Sequence, residues 1–117
     1  MEKHNHGQDV LDDIKPHTRS LRERIPDVYA GFAQMSKAAV APGELDTKTK
    51  ELIALAIGVS KQCDGCIASH ARGVIRAGAT PQEAAEAIGV AILMNGGPAT
   101  VYGPRAMAAV EEFAEKA

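Results

Sequence analysis

Apolar positions in this chain recur with the period of a helix and nowhere with the sustained alternation of a strand. Val28, Phe32, Met35 and Ala39 share one face of a helix that opens at Pro26 and is stopped by Ala41-Pro42-Gly43. Asp46 can cap the next helix ahead of Thr47, and Leu52 to Val59 is apolar on every side, which predicts a central, buried element. A junction at Lys61 to Gly65 leads into a helix whose inward stripe is Cys66, Ile67, His70, Val74 and Ala77. On that helix Arg72 and Arg76 face outward, and Gly78 ends it. Thr80-Pro81-Gln82-Glu83 reads as a capping box with proline at the first helical position. The helix behind it buries Ala84, Ala85, Ile88, Ala91 and Ile92 and stops at Asn95-Gly96-Gly97. After Pro98, the residues Val101, Met107, Val110 and Phe113 supply the last apolar face, which Pro104 is expected to kink or divide. Near the N-terminus the pattern is weaker. Val10, Leu11, Ile14, Leu21 and Ile25 suggest a short or kinked helix broken by Pro16, preceded by a polar, disordered tail over residues 1–8.

The expected fold is therefore all-α, a compact array of five to six helices forming one domain over residues 9–117. The length of 117 residues suits a single core, and with aromatics at 3% and no Trp that core must be filled by alanine and aliphatic side chains. A net charge of −2 argues against a general nucleic-acid binder. No apolar run is long enough to span a bilayer, and the first residues lack the apolar core of a signal peptide, so a cytoplasmic location is expected. In that compartment disulfides are usually transient or catalytic. His4 and His6 could pair on a metal, but a loose tail is the simpler reading.

The chemistry gathers between Glu51 and His70. Both cysteines of the chain stand in Cys63-Asp64-Gly65-Cys66, at a spacing where a disulfide can form and break at a helix start. The helix N-terminus favours thiolate at Cys63. His70, one turn beyond Cys66, favours it at Cys66, so the residues alone leave the order of the two sulfurs open. An antiparallel return at the junction would bring Glu51 back toward His70, where a carboxylate can orient an imidazole or relay a proton. Each residue also has a plainer reading: two small core cysteines, a satisfied core histidine, a first-turn glutamate. Zinc ligation by the four is disfavoured, because the ligands crowd one helix face and a structural site draws its second pair from elsewhere. No metal or cofactor is expected.

The Glu51, Cys63, Cys66 and His70 set lies within an alanine-rich helical chain. Followed by Gly78-Ala79-Thr80 and Ala91-Ile92-Leu93-Met94-Asn95-Gly96-Gly97-Pro98, it resembles the alkylhydroperoxidase D-like members of the carboxymuconolactone decarboxylase family. The likeness spans about Pro26 to Phe113. It implies an antioxidant thiol enzyme in which Cys66 attacks a peroxide or disulfide substrate. Cys63 resolves the product as a Cys63–Cys66 disulfide, Glu51 and His70 relay protons, and a reducing protein or thiol partner regenerates the pair. It also implies a homo-oligomer (a dimer, trimer or hexamer), for which Gly89, Gly96 and Gly97 could permit close approach. The best-known members carry a histidine immediately before the second cysteine, where this chain has Gly65. Two other readings stay open. One is a decarboxylase-like lyase using Glu51 and His70 on a small carboxylic acid. The other is a non-enzymatic redox sensor.

Overall fold

Six α-helices and no strand make up residues 5–117, the part of the chain that the computed structural model describes. They are α1 (Gln8–Arg24), α2 (Pro26–Val40), α3 (Thr47–Ser60), α4 (Asp64–Arg76), α5 (Pro81–Asn95) and α6 (Ala99–Lys116). Among the described residues, no helix is long and apolar enough to cross a membrane.

Helices α3 to α6 pack on one another around a single core, with Leu55 and Val59 from α3 and Ile67, Ala71 and Val74 from α4. Ala84, Ile88 and Ala91 come from α5, and Ala106, Ala109, Val110 and Phe113 from α6. Alanine is abundant there because helices that cross closely leave room for little more than a methyl group.

The helix starts are held by side chains. Asp46 Oδ1 accepts the Thr49 N–H at 2.7 Å, capping α3. At α5 the capping box closes in both directions, with the Glu83 N–H donating to Thr80 Oγ1 at 3.1 Å and the Thr80 N–H donating to Glu83 Oε1 at 2.9 Å. Glu83 also pairs with Lys48 at 2.9 Å, tying this start to α3. The Thr80 N–H and then Lys48 hold its carboxyl below the ordinary carboxylate range.

Two helix ends share one geometry. At the end of α4, Ala79 N–H donates to the Val74 carbonyl at 2.9 Å and Gly78 N–H to that of Ile75 at 3.0 Å, with Gly78 at φ +91°. At the end of α3, Cys63 N–H donates to Gly58 at 3.2 Å and Gln62 N–H to Val59 at 3.1 Å, with Gln62 at φ +54°. Both are Schellman turns. The first uses the glycine its left-handed residue favours; the second places a glutamine there, immediately before Cys63.

Several expectations need correcting. Helix α2 buries none of its residues, and Val28, Phe32 and Met35 are each more than 60% exposed, because α2 touches only the edge of the packed helices. Helix α3 is buried along one side, at Leu55, Gly58 and Val59, while Ile53 and Ile57 face outward. In α4 the inward stripe is Ile67, Ala68, Ala71 and Val74; Cys66 is exposed and His70 half-buried at its edge. Val101 of α6 is also exposed, and Ala99, Gly103 and Ala106 do the burying. Helices α1 and α6 run unbroken through Pro16 and Pro104. Each proline, with the residue four before it whose carbonyl it frees, is exposed, so water can satisfy that carbonyl.

Of the expected tail, residues 1–4, and with them His4, lie outside the described residues. Gln8 already belongs to α1, and its N–H donates to Glu112 Oε2 at 3.1 Å, seating the start of α1 on α6.

Candidate functional site

The tight end of α3 sets up the site. Because Cys63 is both the last residue of that turn and the N-cap of α4, the chain reverses with no intervening loop. Cys63 Sγ accepts the Cys66 N–H at 3.2 Å, the position a capping oxygen usually takes. The two cysteines form a disulfide, with their Cα atoms 5.2 Å apart. Cys63 is partly buried and Cys66 is exposed.

The same reversal runs α3 back alongside α4 and sets Glu51 opposite His70. Their side chains pair at 2.8 Å between Oε1 and Nδ1, with 13% of the Glu51 side chain and 33% of the His70 side chain exposed. An ionised carboxylate accepting at Nδ1 fixes the imidazole tautomer and leaves Nε2 able to accept a proton. All four residues singled out in the sequence border one cavity of about 520 Å³. With the two sulfurs joined to each other and the acid engaged with the imidazole, the cluster is organised in two pairs.

Gly73 belongs to this arrangement, and the sequence reading passed over it. A Cβ added there would collide with Oε2 of Glu51 and come within 2.7 Å of its Cδ. The carboxylate lies directly against the Gly73 backbone, one turn beyond His70. A glycine inside a helix costs about 1 kcal/mol relative to alanine, so its place in α4 was itself a signal. On this flank Glu51 borders a second cavity of about 320 Å³, shared with Thr47, Arg72 and Arg76.

Phe32, Lys37 and Val40 were also missed. They come from α2 and form a wall of the larger cavity. The end of α2 is anchored there by α3, since Thr47 Oγ1 donates to the Val40 carbonyl at 2.8 Å and Lys50 Nζ to that of Ala41 at 2.6 Å. Nothing in the spacing of α2 distinguishes a cavity wall from a core face. Gly65 borders the cavity too, and among the described residues a Cβ added there meets nothing within 4 Å beyond its own stretch of helix, so packing does not demand a small residue.

Comparison with known proteins agrees with this architecture. Residues 26–115 match the model of the carboxymuconolactone decarboxylase family. An uncharacterized protein of Cupriavidus necator is 36% identical over 98 residues, covering 84% of this chain and 87% of that protein. An uncharacterized protein of the cox locus of Paracoccus denitrificans is 42% identical over 82 residues, 70% of this chain and 74% of that one. The apo crystal structure of a carboxymuconolactone decarboxylase family protein from Legionella pneumophila superposes with a TM-score of 0.84 at 42% identity. That match covers 88% of this chain and 92% of the other. A family protein from Thermotoga maritima, for which involvement in an antioxidative response has been suggested, gives a TM-score of 0.75 at 30% identity. It covers 88% of this chain and 91% of its own.

Proposed function

The chain belongs to the carboxymuconolactone decarboxylase family, and from that membership and the geometry of its site we propose that it is a thiol oxidoreductase reducing hydroperoxides, or disulfides, through Cys63 and Cys66. One observation carries the reading: a cysteine pair able to close a disulfide shares a cavity with a Glu51–His70 pair able to move its protons.

In the reduced enzyme, His70 takes the proton of Cys66, and Glu51 stabilises the resulting imidazolium. The Cys66 thiolate attacks the terminal peroxide oxygen. The O–O bond breaks, the alkoxide leaves and takes a proton from His70 to become an alcohol, and Cys66 becomes a sulfenic acid. The Cys63 sulfur then attacks that of Cys66, forming the disulfide and releasing water. Two electrons have passed from the thiols to the peroxide. A thiol or dithiol reductant returns them and is itself oxidised to a disulfide. Cys66 is named as the attacking sulfur because it is the exposed one and lies one turn from His70. Such a cycle suits a reducing compartment such as the cytoplasm.

Replacing Cys66 by Ser should abolish hydroperoxide consumption, and Cys63→Ser should stop the cycle at the sulfenic acid. If Cys66→Ser consumed hydroperoxide as fast as the wild type, the mechanism would be wrong. Activity insensitive to loss of both cysteines would instead favour a lyase using Glu51 and His70. The reading extends to a homo-oligomer, in which outward-facing Ile53 and Ile57 of α3 and Leu93 and Met94 of α5 would be covered. Light scattering would give the monomer mass if they are not. An assembly whose mass changed between the reduced and disulfide forms, without turnover, would favour a redox sensor.

A further inference from the structure

The cavity over the disulfide is built for more than a small oxidant. Phe32 and Val40 of α2 form one of its walls, and the lining is mostly carbon. At about 520 Å³ it exceeds what hydrogen peroxide needs and falls within the range of cavities that hold organic ligands. Of its charged lining residues, Glu51 and His70 are engaged with each other. Lys37 is the third. It borders the same cavity as Phe32 from a different side of α2, is exposed, and makes no ion pair among the described residues. An apolar wall ending in one uncommitted cation matches a ligand with an apolar body and one negative end.

We propose that this cavity is a binding site for a carboxylate-bearing organic hydroperoxide, its hydrocarbon chain on Phe32 and Val40 and its carboxylate at Lys37, with the peroxide presented to Cys66. The proposal rests on the thiol-peroxidase reading and names its substrate class. The reacting step is unchanged. The terminal oxygen passes to the Cys66 sulfur, the O–O bond breaks, and the rest of the molecule leaves as the hydroxy acid. The discrimination comes from the two ends of the ligand. Each buried methylene contributes up to about fourfold in affinity. An exposed ion pair contributes up to about fivefold, and salt weakens it.

The test is the rate at which the reduced protein is oxidised by a medium-chain hydroperoxy acid, by its methyl ester and by hydrogen peroxide, at low and high salt. The acid should react about fivefold faster than the ester at low salt, and hydrogen peroxide more slowly than either. Lys37→Glu should invert the acid-over-ester preference. Phe32→Ser should slow both organic substrates relative to hydrogen peroxide. Equal rates for acid and ester in the wild type, or a preference that survives Lys37→Glu, overturns the proposal. A second arm does not depend on turnover: calorimetric titration of the disulfide form with decanoate and with methyl decanoate. If no peroxide oxidises the cysteines, the peroxidase reading fails, and this arm decides the site alone. Decanoate binding that weakens in Lys37→Glu supports it, and no decanoate binding in the wild type sinks it.

Discussion

The two halves of this molecule use apolar residues in opposite ways. Helices α3 to α6 turn theirs inward and share one core, and they carry Glu51, Cys63, Cys66 and His70. Helices α1 and α2 bury none, and leave Ile14, Leu21, Val28, Phe32 and Met35 exposed. The packed half holds reactive groups at fixed separations, which proton transfer needs. From the open half, α2 forms one wall of the cavity that holds those groups. Under the proposed function, chemistry and selectivity would fall to different parts of one small fold.

The largest expected effect sets the halves against each other directly. Leu55 is fully buried, so Leu55→Ala should lower unfolding stability by about 2–5 kcal/mol. Phe32 is 62% exposed, so Phe32→Ala should cost no more than about 0.5 kcal/mol. Urea denaturation at low protein concentration measures both, and equal losses would break the division between core and wall.

Next in size is a change that separates activity from stability inside the packed half. In Gly73→Ala the new methyl must displace the Glu51 carboxylate. Cysteine oxidation by peroxide should slow by about a hundredfold, the low end of what a relay group contributes. Stability should stay within about 1 kcal/mol, since the helix gains from alanine. Unchanged rates would remove Glu51 from the relay.

The smallest effect concerns pH. The Glu83 carboxyl is held below its ordinary value of 4.5, first by the Thr80 N–H and then by Lys48. A carboxyl whose folded value is depressed stabilises the fold above its unfolded value and loses that contribution as pH falls through the folded one. Below about pH 4.5 the wild type should therefore lose stability that Glu83→Gln, which has no carboxyl to protonate, does not lose at this site. Denaturation midpoints at pH 7 and pH 3 would show the smaller drop in the variant. Identical drops would mean that the cap and the ion pair do not act through this charge.

Much of this could be read from the chain. The helix period, the Thr80 capping box, the Asp46 cap and the stop at Gly78 are local signals, and each is set by groups within about one helical turn of one another. The Glu51–His70 pairing was legible for a related reason: a short junction between two helices forces an antiparallel return. The left-handed turn at Gln62 was not legible, because glutamine gives no sign of it.

What tertiary structure alone decided is which apolar face is buried. Periodicity says that Val28, Phe32 and Met35 share a side of α2; it cannot say whether another helix covers that side, since burial depends on neighbours far away in the chain. The same limit hid the edge position of Cys66, the collision space at Gly73 and the place of Lys37 in the cavity wall. Each is a relation between helices distant in sequence, and only their packing creates it.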